Sequence, residues 1–254
     1  MPDIDVATLQ WIAARGWPAV ETEPLGGWLL RAAGGFTRRA NSVLAFHPLG
    51  VPIDDALAHV AQWYEARGLP AYVQLAQDTP LDAELASRAW TAEAPVHFQI
   101  APIDVVWRAF GEGGSDTVEL ADAPDAAWLA GYHKAGTVDA STLHVIRGGP
   151  TVGFATVRGD EPGHAKAIGR CVIVDGWAGF SAIEVDPAHR RRGLAVTVMR
   201  ALVGWASELG ATGTYLQVEA DNGPALALYE RLGFTTHHHC HYRRCPSPQQ
   251  LTSS

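Results

Sequence analysis

Three successive arginines, Arg190, Arg191 and Arg192, stand just ahead of an apolar helical pattern. Basic residues at a helix start oppose the helix dipole, whose positive end lies there. The first helix amides have no intrahelical acceptor and point outward along the axis. Positive charge added to such an end calls for an incoming anion. Upstream, residues 177–185 read as a buried strand that stops before Asp186-Pro187. Gly193 and Ala195 lack bulk, so the backbone can approach a diphosphate closely. Strand, basic glycine-containing loop and helix together make an anion-binding turn. No Gly-Lys-Ser/Thr follows, which excludes a nucleoside-triphosphate loop. The GxGxxG spacing of a dinucleotide fingerprint is missing too.

The rest of the chain bounds what that turn serves. Its 254 residues allow one large domain or two small ones. With 47% apolar and 18% charged residues, a packed core is expected rather than disorder. A formal net charge of −8 argues against a nucleic-acid partner bound by phosphate neutralisation. Cys171, Cys240 and Cys245 are odd in number and form no CxxC pair, so they read as free thiols of a reducing compartment. Asp3 and Asp5 spoil a secretion signal, and no apolar run approaches the ~20 residues that cross a bilayer. The expectation is a cytoplasmic monomer or homodimer with no membrane partner.

Periodicity predicts helices over residues 6–15, 54–67, 81–92, 124–133, 194–209 and 224–232. Strands are predicted over 28–32, 42–46, 71–76, 96–103, 117–120, 143–147, 151–158, 170–174, 177–185, 214–219 and 235–243. Asp175-Gly176 joins two of them as a tight hairpin. Such alternation implies an α/β layered architecture. Gly111-Glu112-Gly113-Gly114-Ser115 is the best linker by composition. It divides the chain into domains 1–110 and 111–245, with 246–254 as a disordered tail. A weak repeat relates them. Tyr72-Val73-Gln74-Leu75 resembles Tyr215-Leu216-Gln217-Val218, and the same offset of 143 lays Leu85 on Leu228 and Arg88 on Arg231.

Arg190-x-x-Gly193-x-Ala195 resembles the Q/R-x-x-G-x-G/A loop of the GNAT superfamily of N-acetyltransferases. Leu216–Asn222 is similar to that family's fifth strand and the loop after it, and Ala225–Phe234 to its fourth helix and closing turn. The resemblance covers about 117–244. The first half matches only by its order of elements. Its counterpart loop, His47-Pro48-Leu49-Gly50-Val51-Pro52, has no arginine and two prolines that lack amide donors.

The resemblance implies an α/β fold of two GNAT-like halves, each a mixed twisted sheet flanked by helices. The first half would be a degenerate structural or substrate domain and the second catalytic. It implies acetyl-coenzyme A as acyl donor, lying in a splay between the strands that contain Val185 and Leu216. Arg190, Arg191, Arg192, Gly193, Leu194 and Ala195 would hold the diphosphate, with Thr197 and Asn222 nearby. The pantetheine arm would pair with Ile183 to Val185 like an added strand. Tyr229 matches the family's proton donor to the leaving thiolate and borders the cofactor. Some members carry a glutamate base where this chain has Gln217, which takes no proton. Glu219, on the same strand face, and Glu184 are the remaining candidates, acting directly or through water. The implied reaction moves an acetyl group to the primary amine of a small molecule in a ternary complex, since no nucleophilic Cys or Ser motif appears. A protein N-terminus or lysine is the alternative acceptor, and binding of acyl-coenzyme A without turnover the alternative role.

Two other clusters stand out. In His237-His238-His239-Cys240-His241, strand alternation places His237, His239 and His241 on one face, without a local carboxylate, and no metal is assigned. The run Thr37-Arg38-Arg39-Ala40-Asn41 reads as an exposed basic turn, or else as the border of a cleft between the halves. Trp11, Trp63, Trp128 and Trp205 lie on predicted helices and read as core.

Overall fold

Short capped helices and long strands set the frame. In a computed structural model, which describes residues 4–111, 117–132 and 136–246, α1 (Val6–Arg15) starts at Asp5, whose carboxylate accepts the Thr8 amide. β1 (Glu21–Leu25), β2 (Trp28–Ala32) and β3 (Val43–Leu44) lead to α2 (Ile53–Glu65) and β4 (Tyr72–Ala76). α3 (Pro80–Ser87), β5 (Thr91–Pro102) and α4 (Ile103–Ala109) close the first half. The second half runs β6 (Glu119–Ala121), α5 (Ala126–Gly131), α6 (Ala140–Arg147), β7 (Thr151–Arg158), β8 (Ala165–Val174), β9 (Trp177–Val185). It ends with α7 (Leu194–Glu208), β10 (Gly213–Glu219), α8 (Gly223–Arg231) and β11 (Thr235–Arg244). Residues 112–115 of the expected linker, and the expected tail beyond Pro246, lie outside the described residues.

All eleven strands join one sheet in the order β1-β2-β3-β4-β11-β5-β10-β9-β8-β7-β6. Among the described residues only β3/β4 and β9/β10 pair in parallel, and a helix, α2 or α7, makes each crossover. β5, from the first half, lies between β10 and β11 of the second and is antiparallel to both. β11 in turn pairs with β4. The strands of the two halves therefore interleave across the chain midpoint.

Helices cover both faces. α4, α7 and α8 bury Val106, Leu202, Val203 and Tyr229 against Phe180 and Leu216. On the opposite face Trp17, Phe36 and Ala40 of the first half pack with Trp128, Ile146 and Phe154 of the second. α1 lies across the same side, with Leu9 and Ile12 against Phe98, Trp177 and Tyr215. α2 and α3 seat Val60, Tyr64 and Leu85 on Leu30, Val73 and Leu75.

Several expectations shift. Residues 143–147 form the end of helix α6 rather than a strand. Asp139 caps that helix by accepting the Thr142 amide at 2.7 Å, and Thr142, Val145 and Ile146 share its buried face. The β-branched residues had suggested extended chain. α3 ends at Ser87, because Ala89 enters the left-handed region and the Trp90 amide turns back to Leu85 O. β1 and α4 lie outside the predicted elements. Trp11 is 45% exposed instead of core.

Withdrawing β5 would open an edge on β10 and on β11 together. Residues 111–254 expressed alone are expected to aggregate, and co-expression with 1–110 to return a soluble complex. A soluble, monomeric 111–254 fragment with a cooperative melt would contradict this.

Candidate active site

The site begins where two strands part. β9 and β10 pair from Trp177↔Gly213 to Phe180↔Leu216. Beyond that point β10 continues along β5 to Glu219↔Val96, whereas β9 keeps company only with β8. The β8–β9 register shifts between Arg170↔Ser181 and Ile168↔Glu184, so Ala182 and Ile183 together oppose Gly169. Ala182 sits at φ 52°, the kink of this bulge. A Cβ on Gly169 would lie 2.4 Å from Val198 of α7 and 2.8 Å from Ile183. Glycine is thus required for α7 and the bulge to close on β8. β9 changes from buried over 177–180 to half-buried over 181–185, which includes Ile183 and Val185. Its β10-facing backbone is open there to an extended ligand.

The turn that follows is held from below. The Asp186 carboxylate accepts the Ala188 amide at 2.7 Å and bonds His164 Nε2 at 2.6 Å, fixing a single 3-10 turn. These bonds, the Ala188 amide first, hold its carboxyl below the usual range. Arg191 (φ 60°) and Gly193 (φ 81°) then adopt left-handed backbone. Gly193 is the N-cap of α7 and has no side chain to occupy the first amides. Alternation of this kind turns successive N–H groups into a concave nest. A Cβ on Gly193 would meet nothing within 4 Å, so the cradle is open in front. Arg190, Arg191 and Arg192 are exposed around it, and Arg190 Nε reaches Val185 O at 3.5 Å. Leu194 turns into the core, Ala195 is half-buried, and Thr197 Oγ1 donates to Gly193 O at 3.4 Å. This donor set fits a diphosphate.

Tyr229 is buried on α8, edge-on to Phe234, in the cluster that contains Phe180 and Leu216. Its hydroxyl has no hydrogen-bond partner among the described residues, and burial pushes it up to about 12. Glu184 on β9 is half-buried and borders a cavity of about 170 Å³ with His164, Ile168 and Asp186. Glu219 is exposed at the end of β10. The two carboxylates stand on the two strands that part. Asn222 caps α8, its Oδ1 accepting the Ala225 amide at 3.2 Å, a structural task beside the cofactor role expected of it. Gln217 keeps its Nε2 buried without a hydrogen-bond partner among the described residues.

The histidine run departs from simple alternation. β11 bulges at His237, between Thr236 and His238, and β5 bulges opposite His241, where Ala94 (φ 48°) and Pro95 face one β11 residue. His237 Nε2 reaches Ile4 O, His238 stacks on Phe98, His239 meets His97, and His241 bonds Asp82. Expected on one face with His239 and His241, His237 is turned out of that alternation by the β11 bulge, and the three histidines take separate partners. Among the described residues no three His, Cys, Asp or Glu side chains converge on a metal position.

Residues 4–243 match the family profile described as probable histone acetyltransferase Rv0428c, C-terminal. The chain is 32% identical to the probable histone acetyltransferase Rv0428c of Mycobacterium tuberculosis, over 93% of this chain and 73% of that protein. It is 29% identical to the uncharacterized N-acetyltransferase YobR of Bacillus subtilis, over 94% of this chain and 98% of that one. The GCN5-related N-acetyltransferase from Kribbella flavida shares the fold, with a TM-score of 0.70 at 19% identity, covering 98% of this chain and 99% of that one. These relatives make the chain an acyl-coenzyme-A-dependent N-acyltransferase. The chain belongs to the GNAT superfamily, in the group defined by the C-terminal part of Rv0428c.

Burial, then the neighbouring His237 and His239, lower His238 to about 4. The unfolded chain binds this proton near pH 6.5 and the folded chain does not. Stability is therefore expected to fall as pH drops from about 6.5 towards 4. The slope of melting temperature against pH should flatten in His238→Gln; an unchanged slope would contradict the assignment.

Proposed function

We propose that this chain transfers an acetyl group from acetyl-coenzyme A to the primary amine of a small molecule, by direct attack in a ternary complex. The observation that carries the reading is the separation of β9 from β10 next to the open cradle at Gly193. The Arg191–Ala195 amides and the side chains of Arg190–Arg192 hold the diphosphate, and the free edge of β9 over Ile183–Val185 receives the pantetheine arm. The bound donor supplies an activated thioester carbonyl.

An ammonium has no lone pair for attack, so the amine first gives up a proton, directly or through water, to Glu219 or Glu184. The C–N bond forms at the carbonyl carbon, and the C–S bond breaks with its electron pair on sulfur. A β9 amide near Val185 stabilises the oxyanion. Tyr229 protonates the departing thiolate. Its hydroxyl is held neutral by burial and has no competing acceptor among the described residues, which suits an acid.

The first half serves as a degenerate partner in this reading. Its β3-α2-β4-α3-β5 order repeats β9-α7-β10-α8-β11, including a parallel pair with a helical crossover. α3 begins at Pro80 and α8 at Gly223, again 143 positions apart. The first-half crossover helix has Pro52 at its cap, and no basic loop precedes it. The Mycobacterium relative, a probable histone acetyltransferase, favours a second reading, in which the acceptor is a protein lysine. A panel of small amines and lysine peptides, followed by thiol release, separates the two.

In that assay Tyr229→Phe is expected to lower kcat by about 100-fold or more, the usual scale for a lost general acid. Calorimetric affinity for acetyl-coenzyme A should stay within about 3-fold, because the hydroxyl acts on the leaving group. Equal turnover would remove the role. Gly193→Glu fills the cradle with a carboxylate at a left-handed position, and coenzyme A affinity is expected to vanish; unchanged affinity would contradict the cradle.

A further inference from the structure

On the sheet face opposite Tyr229, the seam between the halves gathers Arg31, Arg38, Arg39 and Arg170, of which Arg38 alone has a carboxylate within ion-pair distance among the described residues. Arg39 of the first half and Arg170 of β8 both stack on the Trp17 indole, their guanidinium carbons 4.3 and 4.9 Å from its ring centre. Arg170 is fully buried. It spends its donors on neutral groups: Ile146 O at 2.7 Å, Gly16 O at 2.9 Å, Gly148 O at 2.5 Å and Ser181 Oγ at 3.4 Å. Arg31, also buried, does the same with Ser42 O, Ser42 Oγ and Gln74 Oε1. Burial lowers both only to about 10, so each is charged at neutral pH. Arg38 finds Glu93 at 3.3 Å. Arg39, half-buried beside it, has no carboxylate within ion-pair distance among the described residues. The expected exposed basic turn is therefore half-buried at the seam.

Two guanidiniums on one indole repel, and buried charge without a counter-charge is costly. Sequence chemistry alone offers no reason to collect such groups in a chain of net charge −8. The surroundings supply further donors. Burial pushes the hydroxyls of Tyr132, Tyr215 and Tyr242 up, the Arg39 charge opposes this at each, and Glu184 adds to the rise at Tyr132. Position completes the picture. Ser181, the contact of Arg170, is the first β9 residue beyond the last β9–β10 pair. The cationic seam thus lies against the mouth of the splay, on the face away from α7 and α8.

We propose that Arg39, stacked on Trp17 beside Arg170, receives the carboxylate of the acceptor, which is a small amino acid carrying its amine within reach of the splay. The inference rests on the acyl-transfer reading and adds the chemical class of acceptor to it. A fork-shaped guanidinium donates two parallel hydrogen bonds to a carboxylate. The seam then orients the amine towards the thioester from the side opposite the Tyr229 acid.

The test uses the full chain and matched pairs of acceptors: α- and ω-amino acids against their amides, with acetyl-coenzyme A and thiol release. In at least one pair the carboxylate is expected to win by about 30-fold or more in kcat/KM, the scale of a partly buried charge contact. Arg39→Gln should collapse that ratio to within about 3-fold, and Arg39→Lys should recover part of it. Coenzyme A affinity, measured by calorimetry in each variant, reports the fold. Equal rates in every pair, or a preference that survives Arg39→Gln, would overturn the proposal. If no amine is acetylated, the transfer reading fails separately. Titration of N-acetylglycine and N-acetylglycinamide into the coenzyme A complex then decides the subsite. Binding of the carboxylate alone, lost in Arg39→Gln, supports it; equal or absent binding overturns it.

Discussion

A parallel strand pair that separates part-way leaves backbone donors and acceptors unpaired in the middle of a sheet. Such groups are costly unless water or a ligand meets them. Here the separation of β9 from β10 after Phe180 and Leu216 is built in from both sides. The bulge at Ala182 and Ile183, admitted by Gly169, bends β9 away. β5 meanwhile holds β10 straight along its length. The gap is therefore built into the sheet, and its floor opens on the Gly193 turn.

This arrangement explains why the two halves cannot be read as beads on a string. The strand that steadies β10 belongs to the first half, and β11 returns the exchange by pairing with β4. The seam is also closed by side chains, since Trp17, Phe36 and Ala40 pack with Trp128 and Phe154. A half that has no basic loop of its own can still shape the site in this way. It contributes one flank of the sheet and the cationic lining around Arg39.

Much of the site was legible because its signal is local. Arginines against a helix dipole, followed by a glycine that takes left-handed backbone, need no tertiary knowledge to be recognised. So were α1, β2, β7 and β9, whose periodicity and turn residues agree with their final state. Long-range facts were not legible. Nothing in residues 91–102 announces that they pair with β10 and β11. The β-branched Thr142, Val145 and Ile146 hid a capped helix. Bulges in β9 and β11 escape any reading based on strict alternation, which misplaced the histidines and left the splay's cause unseen. Arg39 looked like an ordinary loop residue, because only the fold brings Trp17 and Arg170 to it.

Hydrogen–deuterium exchange on the full chain, with and without coenzyme A, tests the central claim most directly. Amides of Arg191 to Ala195 and of Ile183 to Val185 should slow together on adding the nucleotide, while those of β7 stay unchanged. Protection confined to another region, such as the His47 loop, with the α7 turn exchanging as before, would contradict it.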